Sequence, residues 1–254
     1  MGKIISVANQ KGGVGKTTTS VNLSAAIGAS GKKVLLIDLD PQGNATSGYG
    51  INKRDVEISS YDVLIGAATI DDATIKSNFK NVSVVPSNIS LAGAEIELVE
   101  LQNRMLRLKA KLIAVKDRYD FIFIDCPPSL GIITVNALSA SDSILIPIQP
   151  EYYALEGLSQ LMNTVKTVKR MYNQDLELEG VLLTMFDARL NLTMQVVAEV
   201  KKFFKGKIFK TVIPRNVRLS EAPSYGQPII YYDKGSKGTE SYISLAKEVI
   251  KLNR

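Results

Sequence analysis

Ile4-Ile5-Ser6-Val7-Ala8-Asn9-Gln10-Lys11-Gly12-Gly13-Val14-Gly15-Lys16-Thr17-Thr18-Thr19-Ser20 is the stretch that decides the fold. A short apolar run, suited to one buried strand, passes into a glycine-rich loop and then into Ser20-Val21-Asn22-Leu23, which reads as helix. Strand, glycine loop and helix in that order make a phosphate cradle. Glycines let the backbone close around an anion with its N–H groups pointing inward, and the helix N-terminus that follows adds a favourable dipole. In such a loop Gly12, Gly13, Val14, Gly15, Lys16, Thr17 and Thr18 surround the phosphates. Lys16 bridges the β- and γ-phosphates and the Thr17 hydroxyl ligates Mg²⁺, so the cofactors expected are ATP and Mg²⁺.

The loop departs from the usual Walker A pattern. Gln10 stands where the first glycine belongs, and a second lysine, Lys11, precedes Lys16 by five positions. Neighbouring cations repel unless each faces phosphate. A lysine on the outer lip can reach a nucleotide held by a second subunit, like an arginine finger supplied in trans, which predicts a nucleotide-sandwich homodimer. The plainer reading of Lys11 is a solvated surface lysine.

Two further apolar runs end in aspartate. Leu35-Leu36-Ile37-Asp38-Leu39-Asp40-Pro41-Gln42-Gly43 places Asp38 and Asp40 beyond the carboxyl end of a strand, where open α/β sheets bind ligands. Asp40 is read as orienting or polarising the attacking water, and Asp38 as holding Mg²⁺-bound water; helix or turn capping is the alternative for both. Phe121-Ile122-Phe123-Ile124-Asp125-Cys126-Pro127-Pro128 has the Walker B form, with Asp125 as the outer carboxylate of the Mg²⁺ site. A carboxylate closing four apolar residues needs a cation or hydrogen bonds to compensate it. Cys126 reads as a small buried residue, and Pro127-Pro128 as the stiff part of a loop that senses the γ-phosphate.

Outward from these motifs, β-rich runs alternate with helical stretches. Strands are expected at 4–8, 34–38, 82–85, 121–125, 143–147, 180–184 and 208–213, and helices near 16–29, 93–116, 131–140, 155–171, 190–204 and 239–252. That rhythm predicts a three-layer α/β P-loop NTPase fold, a mostly parallel twisted sheet of about seven to eight strands with helices on both faces. The 254 residues, 45% of them hydrophobic, suffice for one substantial core, and no Pro/Ser-rich linker or repeat divides them, so a single domain over 1–254 is expected. No run approaches the length needed to span a bilayer, and the opening residues run straight into motif sequence, which points to the cytoplasm and away from membranes.

Histidine is absent and Cys126 is the single cysteine, which excludes Ser-His-Asp and Cys-His catalysis, His-ligated zinc and an intramolecular disulfide. The chemistry must come from Lys, Asp, Thr and backbone amides. Of the net charge of +6, essentially all lies between Arg189 and Arg218, where Arg189, Lys201, Lys202, Lys205, Lys207, Lys210, Arg215 and Arg218 face one acid, Glu199. Concentrated positive charge is the footprint of a polyanion binder. Phe203, Phe204 and Phe209 fall at core spacing and form no stacking ladder, and no helix-turn-helix signal is present. The polyanion expected is therefore double-stranded DNA, contacted non-specifically through its phosphates by Arg189, Lys201, Lys202, Lys205 and Arg218; a solvated helix face is the alternative for the three lysines.

Taken together, Lys11-Gly12-Gly13-Val14-Gly15-Lys16-Thr17-Thr18, Asp38-Leu39-Asp40-Pro41-Gln42-Gly43-Asn44 and Asp125-Cys126-Pro127-Pro128-Ser129 resemble the deviant Walker A ATPases, specifically the ParA/Soj chromosome-partitioning family. The likeness continues through Glu151-Tyr152-Tyr153-Ala154-Leu155-Glu156-Gly157 and Pro214-Arg215-Asn216-Val217-Arg218-Leu219-Ser220-Glu221-Ala222-Pro223 and covers nearly the whole chain. It implies that Lys11 contacts nucleotide across an ATP-dependent dimer, Gly12 lies at the close approach of two subunits, Lys16 is required for ATP binding and Asp40 supports hydrolysis. It also implies that Pro214 and Asn216 lie near the adenine, and that Arg189 and Arg218 bind DNA. The partner implied is a ParB-type centromere-binding protein that stimulates slow hydrolysis, and the place of action is the cytoplasmic nucleoid. Regulation of replication initiation is a further role the resemblance leaves open. A MinD-like membrane-positioning ATPase shares the loop but would carry an amphipathic basic helix beyond the fold, whereas the apolar stripe of residues 245–252 reads as packed on the sheet.

Overall fold

The fold is described by a computed structural model covering residues 2–151 and 154–253. In chain order the elements are β1 (Lys3–Val7), α1 (Lys16–Ala29), β2 (Val34–Asp38), α2 (Asn44–Gly48), α3 (Ser60–Ile65), α4 (Ile70–Ala73), β3 (Ile75–Lys76), β4 (Val82–Val85), α5 (Leu91–Glu100), α6 (Arg107–Leu112), β5 (Phe121–Asp125), α7 (Ile132–Ala140), β6 (Ser143–Ile148), α8 (Ala154–Met171), β7 (Glu177–Leu183), α9 (Asn191–Phe203), α10 (Val217–Glu221), α11 (Ile229–Tyr232) and α12 (Lys237–Leu252). Tyr152 and Tyr153 of the motif Glu151 to Gly157 lie outside the described residues.

The strands form one seven-stranded sheet in the order β3-β4-β2-β5-β1-β6-β7, parallel throughout except for the β3–β4 pair. Parallel strands covered on both faces must be apolar on both, and alternate residues go to opposite cores. Ile4, Leu35, Ile37, Ile122 and Ile124 pack with α5, α6, α7 and α8 on one side. Ile5, Val34, Leu36, Phe121 and Phe123 pack with α1 and α12 on the other. The three-layer α/β fold read from the sequence is thus the fold observed. The last helix turns Tyr242, Leu245, Ala246 and Val249 inward, so its apolar stripe is used inside the fold.

Three local expectations are corrected. Residues 208–213 form no strand: they touch β7 and its continuation at two isolated bridges, Val181 with Ile208 and Phe186 with Pro214. Between the bridges the Lys210 and Thr211 N–H groups donate to the Glu248 carboxylate of α12 at 2.8 and 3.1 Å, so they are lost to the ladder. The helix expected over 93–116 is two, α5 and α6. Asn103 adopts a left-handed φ of 53°, and the Arg104 guanidinium donates to the Val99 carbonyl, closing the end of α5. The two-residue edge strand β3 was not foreseen; it is too short to carry a period.

Candidate nucleotide site and its rim

The centre of the sheet sets the site. β1 lies between β5 and β6, and its continuation is pinned by the Asn9 side-chain amide, which donates to the Pro147 carbonyl at 2.7 Å while its oxygen accepts from the Lys11 N–H at 3.0 Å. The loop then needs left-handed backbone at Gly13 and Gly15, with φ of 73° and 84°, which is why glycine stands at both. Gly15 is the N-cap of α1 and has no side chain to satisfy the first helical N–H groups, so those donors face whatever occupies the loop. Thr184, at the end of β7, donates its hydroxyl to the Val14 carbonyl at 2.8 Å and holds the loop from the far side.

The two lysines are kept differently. Lys16 is buried, and its ammonium donates to the Lys11 carbonyl at 3.1 Å. Burial lowers its pKa, with Asp125, Cys126 and Asp40 pulling the other way. Lys11 lies on the outer lip, paired with Glu151 at 2.7 Å, and Glu151 also accepts from the Gln149 side-chain amide at 2.6 Å. Gly12 is exposed, and a Cβ there would meet nothing within 4 Å.

Three aspartates gather beneath the loop. Asp38 and Asp125 are in register on adjacent strands, both fully buried. The Asp38 carboxylate is satisfied internally: Oδ2 accepts from the Thr46 N–H at 2.8 Å and hydroxyl at 2.7 Å, and Oδ1 from the Asp40 N–H at 3.1 Å. Burial nevertheless holds its pKa above the ordinary carboxylate range. Asp125 Oδ1 accepts from the Ser20 hydroxyl at 2.8 Å, whereas Oδ2 is buried with no hydrogen-bond partner. Burial, then the charge of Asp38, push the Asp125 pKa up, and the nearby Thr17 and Ser20 hydroxyls offset only part of that. An orphaned buried carboxylate oxygen beside Thr17 fits a cation. Among the described residues no three His, Cys, Asp or Glu side chains converge to hold a metal alone. Asp40 is nearly buried, with one oxygen accepting from the Gln42 N–H at 2.9 Å. Cys126 is buried, with its thiol pKa pushed up by burial.

Beside Gly15 and Thr18 opens a cavity of about 380 Å³ whose lining includes Thr184, Met185, Pro214, Asn216, Leu219 and Tyr242. Pro214 and Asn216 are thus brought to the wall of a cavity that opens beside the phosphate loop. Thr184, Met185 and Tyr242 were not foreseen, since residues from β7 and α12 meet the loop only through the fold. Met185 takes a left-handed φ of 47°, unusual for a non-glycine residue.

The basic residues do not form one cluster. The bridge from Phe186 to Pro214 brings the loop that goes on to Arg189 beside the stretch that runs through Arg215 into α10, which carries Arg218; of these arginines Arg215 lines the cavity. Arg189 is 88% exposed and clamps Asp187 with two bonds, 2.9 and 2.7 Å, holding that carboxyl down at about 2. Arg218 pairs with Glu221 at 2.8 Å and Asp233 at 3.4 Å. Lys201, Lys202 and Lys205 are exposed at the opposite end of α9, roughly 20 Å along a helix of thirteen residues, and Lys202 pairs with Glu199 at 2.7 Å.

Comparison with known proteins gives the same answer from another direction. Residues 2–178 match the family model described as AAA domain. The chain is 64% identical over 249 residues to the sporulation initiation inhibitor protein Soj of Bacillus subtilis (strain 168), covering 98% of each. It is 52% identical over 251 residues to the chromosome partitioning protein ParA of Myxococcus xanthus (strain DK1622), covering 99% of this chain and 89% of that one. Among solved structures, cobyrinic acid a,c-diamide synthase from Mycobacterium smegmatis with bound ADP and magnesium superposes with a TM-score of 0.87 at 34% identity, over 99% of this chain and 95% of that one. A phosphate loop set beside two buried aspartates, on a sheet shared with nucleotide-bound relatives and at such identity to Soj and ParA, places this chain in the ParA/Soj family of chromosome-partitioning ATPases, with ATP and Mg²⁺ as cofactors.

Proposed function

We propose that this ATPase works as a nucleotide-gated DNA clamp: two ATP-loaded subunits pair face to face, hold duplex DNA without sequence choice, and let go on slow hydrolysis. The observation that carries the reading is that one pair of loops serves both ends of the coupling. Met185, Pro214, Arg215 and Asn216 line the cavity beside the phosphate loop, and the same two segments carry Arg189 and Arg218 within a few residues of that lining. Gly12 is consistent with the pairing, since it is exposed and a side chain there would project outward, toward any subunit packed over the loop. Lys11 exchanges Glu151 for the partner's nucleotide.

Bound Mg²⁺-ATP supplies the scissile phosphoanhydride and the positive charge that draws off charge developing on the phosphates. Lys16 and the free N–H groups of α1 bind the β- and γ-phosphates. Thr17 offers its hydroxyl and Asp125 its unpartnered oxygen to the metal side, with Asp38 behind them. Asp40 orients the attacking water. A ParB-type protein stimulates this step, and the dimer resides on the nucleoid in the cytoplasm. Residues that contact only phosphates give an affinity that falls steeply with salt.

The test is duplex-DNA binding measured with ATP and with ADP, for the wild type and for Gly12→Val, Lys16→Ala and Arg189→Glu. The clamp requires ATP-dependent binding that each substitution abolishes. Equal binding with either nucleotide, retained by Gly12→Val, rejects it.

A further inference from the structure

One helix presents a largely exposed apolar row, covered by its own chain only in part, where Arg104 reaches back to the Val99 carbonyl. On α5, Leu91, Ala94 and Leu98 are buried. At about 100° per residue, Ala92, Ile96 and Val99 then form a row on one flank of the helix, turned away from the buried side. Ile96 is 77% exposed and Val99 49%, with Ile89, just before the helix, at 71%. Single exposed apolar residues are ordinary, but a row at i, i+4 and i+7 is a seam. The same helical angles set Glu95 along one border and Glu100, with Glu97 beyond it, along the other, and all three are exposed. In a chain of net charge +6, this seam is locally of the opposite sign.

We infer that the α5 seam docks an amphipathic helical segment of the activating partner, apolar on one face and bordered by Lys or Arg. This rests on the proposed stimulation by a partner protein and adds where that partner binds. Nucleic acid is unsuited, because its phosphates would face three glutamates. A second copy packed symmetrically by the same seam would set glutamate against glutamate. A basic amphipathic helix satisfies both the apolar row and its acidic borders.

The seam also touches the phosphate-sensing loop. Glu95 Oε1 accepts from the Ser129 hydroxyl at 3.5 Å, and it stands 2.6 Å from where a Cβ on Gly131 would lie. A cationic side chain seated against Glu95 competes with Ser129 for that carboxylate, so docking loosens the loop that follows Asp125.

The experiment uses the full chain with ATP, Mg²⁺ and duplex DNA. One arm measures hydrolysis with and without the ParB-type protein. The other measures binding of a fluorescent Lys/Leu amphipathic peptide and of its Glu/Leu counterpart. Ile96→Asn/Val99→Asn and Glu95→Lys/Glu100→Lys should each weaken the basic peptide and the stimulation by at least about tenfold, leaving basal hydrolysis and DNA binding intact in the first variant. Undiminished stimulation of Ile96→Asn/Val99→Asn overturns the inference, as does equal binding of the acidic peptide. Loss of the ATP-dependent dimer in that variant also overturns it, by assigning the seam to a contact between copies. A wild type that binds the basic peptide at α5 but is not stimulated by the ParB-type protein leaves the docking surface standing and removes the proposed partner.

Discussion

Lys16, Asp38 and Asp125 are buried at the phosphate loop, whereas Lys11 on its outer lip and Arg189 and Arg218 on the outer segments are each held by a surface carboxylate. The inner charges are costly in the empty protein. Burial lowers the pKa of Lys16 and raises those of Asp38 and Asp125, so burial works against the charged form of each, and Asp125 leaves one oxygen unpaired. The outer charges carry no such penalty, because exposed ion pairs are weak and easily exchanged for another anion. Burial thus prepares the inner set to be completed by a ligand, and exposure leaves the outer set free to change partners when a ligand arrives.

The contrast breaks first at Lys16. Lys16→Ala should weaken ATP binding by about 2–5 kcal/mol, the usual cost of truncating a buried charge from its partner, read by calorimetric titration. An affinity within threefold of wild type would mean that burial of Lys16 serves the fold and not the nucleotide.

Asp125 gives the next largest effect, and of opposite sign in the empty protein. Asp125→Asn should stabilise the nucleotide-free chain by about 1–3 kcal/mol by removing a buried, half-paired charge, and should abolish the added stability conferred by Mg²⁺ with ATP. Both are read from denaturant unfolding. The pH dependence sharpens this. Folding raises the pKa of Asp38 and Asp125, so the native state binds more protons than the unfolded chain between the ordinary carboxylate range, about 4, and neutrality. Stability of the empty protein then falls as pH rises through that window, and Asp125→Asn should flatten the fall. A wild-type profile rising over the same window would show that the carboxylates are satisfied without a cation.

On the outer segments, Arg189→Glu should lower duplex affinity by at least about tenfold and reduce the slope of log K against log salt by about 1 for each phosphate no longer neutralised. ATP binding should not change. The smallest effect belongs to Lys202→Ala. Lys202 pairs with Glu199 at the far end of α9, and its removal should change DNA affinity less than about threefold. A larger drop at Lys202 than at Arg189 would move the DNA surface away from the nucleotide and undo the coupling.

How much of this was legible in the chain depended on where the deciding contacts lie. β2, β4 and β5 were read to the residue because buried parallel strands are uninterrupted apolar runs, and the phosphate loop carries its geometry in its glycines. The segment 208–213 carries a strand-like run as well, but its ladder is broken by Glu248, nearly forty residues onward, and no local pattern reports that. The break between α5 and α6 hangs on the left-handed Asn103 and on Arg104 reaching back to Val99. At the site, the burial of Lys16 and Asp125 beside the loop was legible from their motifs, and the roles proposed for them rest on it. The wall made by Thr184, Met185 and Tyr242 exists only once β7 and α12 converge. The carboxylates gripping the outer arginines are near in sequence for Asp187 and Glu221, yet their pairing is a matter of side-chain geometry that spacing does not fix.

The position of β1 has a consequence for how the chain is made. Its neighbours on either side are β5 and β6, so Lys3 pairs with Phe121 and Val7 with Leu145. At a ribosome's pace of about 5–20 residues per second, the first strand waits on the order of ten seconds for either neighbour to be synthesised. Through that interval an apolar strand and a loop built for phosphate are solvent-facing on a nascent polypeptide, which makes this segment the natural client for a chaperone during translation. The phosphate loop is thus synthesised well before the strands that fix it in place.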